Sequence, residues 1–131
     1  MDINPFDVKC TKLNVKINKL SSRIQVIESD LFDNVKGEFD VVIFDPPFRW
    51  TKPRDIWEKS CVDENYIPMN GFFSQVQNYM KPRGKILIHF GTSGDLSYLK
   101  KIIRNKGFKR KQMSKNNNSV WTYFSYRLTL K

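Results

Sequence analysis

The sequence predicts an α/β fold with a mainly parallel sheet. Helical and strand-like apolar patterns alternate along the 131 residues, the run Val41 to Phe44 is continuously apolar, and the last third holds two strand-like runs joined through Asn116-Asn117-Asn118. With 40% hydrophobic residues, a chain of this length is one domain at most, with enough apolar surface for a real core.

Each element has a local cause. Asn4 is a good N-cap and Pro5 suits the first helical position. Phe6, Cys10, Leu13, Ile17 and Leu20 recur three or four residues apart, with Lys9, Lys12, Lys16 and Lys19 on other faces, which predicts an amphipathic helix ending near Ser21. Ile24 to Ile27 reads as a short strand and residues 30–37 as a loop. Phe39 to Phe44 reads as a strand, and its unbroken apolar run predicts burial on both faces. Pro46 has no N–H to donate, so pairing must stop there. Phe72, Phe73, Val76, Tyr79 and Met80 form a helical face that Pro82 terminates. Lys85 to Phe90 is a second buried strand, with His89 in a structural place at its end. Leu96, Leu99, Ile102 and Ile103 mark a further helix, with Gly107 as its C-cap. Phe108 to Met113 and Val120 to Leu130 form a terminal hairpin.

The end of the first long strand carries chemistry. In an α/β sheet, ligands bind beyond the carboxyl ends of strands, where Asp45-Pro46-Pro47-Phe48 falls. A carboxamide or exocyclic amine nitrogen is a poor nucleophile because its lone pair is delocalised. Two acceptors gripping its N–H bonds, the Asp45 side chain and the Pro46 carbonyl, favour a more tetrahedral nitrogen, while Phe48 stacks on its plane. The plainer alternative is a strand exit with an Asx-type turn and a core-capping ring. Arg49, Trp50, Lys52, Arg54, Trp57 and Tyr66 follow, cations interleaved with aromatics. Arg49 and Trp50 suit substrate contact; Trp57 suits packing.

Asp45-Pro46-Pro47-Phe48 resembles the (Asn/Asp)-Pro-Pro-(aromatic) motif of class I S-adenosylmethionine-dependent N-methyltransferases, and three further stretches match in order. Asp2-Ile3-Asn4-Pro5 resembles the segment whose acidic residue holds the cofactor ribose. Asp30-Leu31 resembles the turn at the adenine, and Lys81-Pro82-Arg83-Gly84 with the strand after it resembles the family's Pro-Gly turn and fifth strand. The chain is similar to the small HemK-type group, which includes release-factor glutamine methyltransferases, and to rRNA guanine-N2 enzymes. The resemblance implies a Rossmann-like methyltransferase sheet and S-adenosylmethionine as cofactor. It assigns catalytic positions to Asp45, Pro46, Pro47 and Phe48 and cofactor contacts to Asp2, Asp30 and Leu31, while substrate contact at Arg49 and Trp50 rests on the interleaved cations and aromatics alone.

One departure matters. In the family a first strand and a glycine-rich turn precede the residue resembling Asp2, whereas here only Met1 does, and the six glycines contain no Gly-x-Gly pair. The resemblance therefore implies that residues 1–131 are a partial class I domain, missing the first strands and the glycine turn. Half of the cofactor groove would then lie elsewhere, and a second polypeptide or second copy would complete the sheet and cover its exposed edge.

The net charge of +10 is unevenly placed. Residues 1–80 hold 10 Lys/Arg against 12 Asp/Glu, whereas residues 81–131 hold 13 against Asp95 alone. That asymmetry suggests RNA or a ribosomal or translation-factor substrate, the bland alternative being solvated lysine-rich faces. Cys10 and Cys61 have no metal-ligand spacing and read as buried or half-buried free thiols, with no metal site expected. No apolar run approaches a membrane span and no signal peptide pattern opens the chain, so a soluble, cytoplasmic protein is expected. An inactive remnant acting as an RNA-binding or regulatory subunit is the second functional expectation.

Overall fold

The computed structural model describes residues 1–49 and 51–131, arranged as two compact units, Met1–Lys36 and Gly37–Lys131. Trp50 lies outside the described residues.

In the first unit, helix α1 (Pro5–Ile17) starts where the sequence places it. The Asn4 side-chain oxygen accepts from the Phe6 N–H at 3.1 Å, and the Asn4 amide donates to Asp7 at 2.7 Å. Asp7 in the first turn and Lys16 in the last complement the helix dipole. The helix stops before Ser21 because Lys19 adopts a left-handed conformation, φ +56°, after an Asn18 cap. The apolar stripe does not become core: within α1 only Val8 is buried, while Phe6, Leu13 and Ile17 are more than half exposed. Cys10 is exposed as well, contrary to the expected burial. The expected strand at Ile24–Ile27 does not form. Among the described residues, pairing there is an isolated parallel bridge between Asp2 and Glu28.

The second unit is a four-stranded sheet in the order β1-β2-β4-β3, made of β1 (Phe39–Phe44), β2 (Met80–Gly91), β3 (Phe108–Asn117) and β4 (Thr122–Leu130). β1 and β2 are parallel; β4 pairs antiparallel with both β2 and β3, which gives the expected terminal hairpin. Between the Phe39–Met80 and Val41–Lys85 pairs the register shifts, and Lys81 to Gly84 form the irregularity. Pro82 cannot donate to the ladder there, and a Cβ on Gly84 would meet the Phe39 carbonyl oxygen at 3.0 Å. Lys81 pairs with Asp40 across the same region at 2.8 Å.

Helices α2 (Ile67–Gln75) and α3 (Leu96–Asn105) contribute to one core with the sheet. α2 ends at Gln75 and passes through a 3-10 turn, Val76–Tyr79, so the helix finishes before Pro82 is reached. Phe72, Phe73, Leu99, Ile103, Ile86, Ile88, Phe108 and Leu128 are buried together in that core. α3 carries the cleanest amphipathic pattern, capped by Asp95 at its start and followed by Gly107 at φ +79°. No helix of the described residues is long and apolar enough to cross a membrane.

β1 corrects the expectation of burial on both faces. Val42 is buried and Phe44 half-buried, but Val41 is 39% and Ile43 74% exposed. Val42 and Phe44 share one pleat face, and Phe44 stacks on Phe72 of α2 at 3.8 Å. Among the described residues β1 has a strand on one side only, and the pleat face bearing Ile43 stays open.

Candidate active site

Pairing of β1 with β2 ends at Phe44–Ile88, and the next residues are Asp45 and Pro46. Asp45 is exposed, Pro46 buried, Pro47 and Phe48 half-buried and Arg49 exposed. The Phe48 ring lies 5.0 Å from that of Phe90, tilted by 45°. Asp45, Pro46, Pro47, Phe48, Arg49, Ser60 and Cys61 line a cleft of about 150 Å³. The sequence-predicted tetrad and Arg49 thus share one concavity, while Trp50 lies outside the described residues.

Two glycines let Phe48 sit there. A Cβ on Gly91 would lie 3.1 Å from the Phe48 ring, and one on Gly94 would lie 2.4 Å from the Phe48 carbonyl oxygen and 2.9 Å from the Phe90 ring. The 91–94 turn therefore packs directly on Phe48, a residue that lines the cleft. Gly94→Ala is expected to cost about 1–3 kcal/mol by overpacking against backbone. Urea denaturation measures it, and an unchanged midpoint would disprove the close packing of Phe48 on this turn.

Ser60 and Cys61 were not legible as site residues. They arrive through a 3-10 turn, Glu58–Ser60, whose start is capped by Asp55 and clamped by the Arg54–Glu58 ion pair. The spacing of Arg54 and Glu58 is the one sequence signal for that turn. The segment is tied to the tetrad by backbone bonds: Arg49 N–H donates to the Cys61 carbonyl at 3.2 Å and Asp63 N–H to the Arg49 carbonyl at 2.9 Å. Cys61 is exposed rather than buried, and Trp57, expected to pack, is 59% exposed.

Asp63, just beyond this tie, is buried. One carboxylate oxygen accepts from the Met69 N–H in the first turn of α2 at 3.3 Å, and the other has no partner among the described residues. Burial pushes its pKa from the ordinary 3.8 up to about 6. The folded state therefore keeps a proton that the unfolded chain has already released between pH 4 and 6. Stability held at low pH falls across that window, by at most about 3 kcal/mol for a shift of this size. Asp63→Asn is expected to flatten this slope in denaturation curves taken at pH 4.5 and 7.5. An equally steep slope in the variant would rule out Asp63 as its source.

Asp2, Asp30 and Leu31 come together in the first unit. Asp2 bridges to Glu28, the Ser29 N–H donates to the Asp2 carbonyl at 2.9 Å, and Asp30 and Leu31 follow directly. One Asp2 carboxylate oxygen accepts from the Asn4 N–H at 2.9 Å; the other is unengaged among the described residues. Leu31 is held at φ +46°, in a turn closed by the Ser29 hydroxyl, which donates to the Leu31 carbonyl and accepts from the Asn34 N–H. A left-handed leucine is strained, and such strain concentrates at functional turns. His89 is structural: its Nδ1 lies 3.2 Å from the Ser125 hydroxyl and its ring stacks on Tyr123. No group of His, Cys, Asp and Glu among the described residues is arranged to hold a metal.

Comparison with known proteins agrees with this fold. Residues 1–119 match the family described as methyltransferase small domain. A Methanocaldococcus jannaschii relative, named for protein N5-glutamine methyl transfer, is 33% identical over 116 residues, covering 83% of this chain and 57% of its own length. The ribosomal RNA small subunit methyltransferase C of Psychromonas ingrahamii is 28% identical over 88 residues, covering 67% of this chain and 22% of its own length. The chain thus spans only part of these curated relatives. Among solved structures, the M. jannaschii tRNA m1G37 methyltransferase superposes with a TM-score of 0.64 at 19% identity, over 98% of this chain and 36% of that one, a likeness of fold.

Proposed function

Because the chain belongs to the methyltransferase small domain family, we propose that it carries the acceptor half of an S-adenosylmethionine-dependent N-methyltransferase acting on a planar nitrogen of RNA or of a protein glutamine. The observation that carries the reading is the convergence of Asp45, Pro46, Pro47 and Phe48 on one cleft at the carboxyl end of β1. Relatives named for glutamine and for ribosomal RNA methylation support both acceptor classes.

Each residue has a task. The Asp45 carboxylate and the Pro46 carbonyl accept the two N–H bonds of the acceptor and favour a lone pair free for attack. Phe48, wedged against Phe90 and the 91–94 turn, holds the acceptor plane. Arg49 and Trp50 contact the substrate beyond it. Asp2, with one open carboxylate oxygen, suits a ribose diol, and the Asp30-Leu31 turn suits the adenine edge. The cofactor, when bound, supplies a sulfonium methyl group with a neutral leaving group.

A second polypeptide or a second copy of the chain completes the sheet in this reading. The exposed β1 face supports it. The test is transfer of a labelled methyl group from S-adenosylmethionine, by the protein with whatever polypeptide co-purifies, into ribosomal RNA and into a release factor. Transfer to neither would sink the proposal and leave the non-catalytic RNA-binding subunit as the better account.

A further inference from the structure

A second concavity lies on the same unit, away from the tetrad. Ser97, Lys100, Lys101, Ile103 and Arg104 of α3, with Phe108 and Arg110 of β3, line a cleft of about 410 Å³. Ile103 and Phe108 are buried and form an apolar floor, whereas Lys100, Lys101, Arg104 and Arg110 are exposed on its walls. None of the four cations makes an ion pair among the described residues. The Arg110 guanidinium is fixed 4.6 Å over the Tyr126 ring. In the last 51 residues the sole acidic side chain is Asp95, and it is engaged as the cap of α3.

The helix that lines the cleft starts just after the turn that packs on Phe48. Ser97 stands in the first turn of α3, three residues after Gly94, whose position is in van der Waals reach of Phe48. From Ser97 to Arg104 the helix advances about 10 Å. The tip of the β3–β4 hairpin is tied to the same turn, by Thr92 N–H to the Thr122 carbonyl and Thr122 N–H to the Thr92 hydroxyl. It presents Trp121 at 39% exposure. Unpaired cations for phosphates beside an exposed ring for a base are the components of a single-strand RNA track.

We propose that the α3–β3 cleft holds the phosphate backbone of an RNA substrate and leads one nucleotide to the tetrad. The inference rests on the reading of Asp45 to Phe48 as the acceptor site. RNA rather than an acidic protein is favoured because the cations follow one line along α3 and an aromatic platform adjoins its end.

The test is fluorescence anisotropy of a labelled 20-nucleotide single-stranded RNA with the full chain, without cofactor, across a salt series. The triple variant Lys100→Ala, Lys101→Ala, Arg104→Ala is expected to bind about tenfold more weakly or worse. Its slope of log affinity against log salt should fall by about 2, since each phosphate that is no longer neutralised takes about 0.7 from the slope. Removing the same charge from α1, with Lys9→Ala, Lys12→Ala, Lys16→Ala, is expected to change affinity less than about twofold. Arg110→Lys keeps the charge but loses the planar stack, and should weaken binding on its own.

Absence of RNA binding, equal losses in both triple variants, or displacement of the RNA by polyglutamate at matched charge would overturn the cleft assignment. Those outcomes leave the acceptor site standing if labelled methyl still enters protein. RNA binding lost in the cleft variant, with no methyl transfer to any acceptor, supports the cleft and refutes the acceptor reading instead.

Discussion

Asp45→Ala is expected to lower kcat for methyl transfer by about 10²–10³-fold, the loss typical when one preorganised hydrogen-bonding group is removed from a reacting centre. The side chain is exposed at the mouth of the cleft and makes no hydrogen bond among the described residues, so the variant should unfold at the parent's denaturant midpoint. Cofactor affinity, read by calorimetry, should also be unchanged, because the groups suited to ribose and adenine are Asp2 and the Asp30-Leu31 turn. Asp45→Asn keeps a carbonyl acceptor and should retain far more activity than the alanine variant. An alanine variant with parental kcat would remove Asp45 from the mechanism and leave the tetrad as a strand exit alone.

The largest effect on stability is expected at Phe72. It is fully buried, lies flat on Phe44 at 3.8 Å and meets Phe73 edge-on at 5.3 Å. Phe72→Ala removes the ring that fixes the residue immediately before Asp45. The expected loss is about 3–5 kcal/mol from transfer and cavity terms, a large part of the roughly 5–15 kcal/mol that ordinarily holds a domain folded. Urea denaturation of Phe72→Ala beside Phe72→Leu measures it, and the leucine variant should recover more than half. A loss under about 1 kcal/mol would mean that the Phe44–Phe72 stack does not anchor the strand.

What the sequence made legible, and what it hid, follows from the range of the forces involved. The Asn4-Pro5 start of α1, the Asp95 cap and Gly107 end of α3, and the end of β1 pairing ahead of Pro46 are local backbone chemistry, and the structure has them in place. The tetrad was legible for the same reason, being four consecutive residues. Burial is not local. The unbroken run Val41 to Phe44 has the composition of a doubly covered strand, yet coverage depends on what packs against it, and the face bearing Ile43 is bare. The same holds for Phe6, Leu13 and Ile17. Ser60 and Cys61 escaped notice because backbone bonds between Arg49 and the 61–63 segment, which any sequence could make, bring that stretch to the cleft. Their side-chain types carry no trace of that tie.

The parallel pairing of β1 also sets a schedule for synthesis. Phe39 pairs with Met80 and Val41 with Lys85, so among the described residues the ladder partner of β1 is made more than 40 residues after it. β2 waits about as long again for β4, since Ile86 pairs with Leu128. At the roughly 5–20 residues per second typical of translation, each interval lasts roughly 2–9 s. Loop closure of that length must precede any gain from the pairing, and such topologies assemble slowly. Asp45 to Phe48 follow β1 directly, so the strand that carries them is fixed in the sheet only after β2 and β4 have been made.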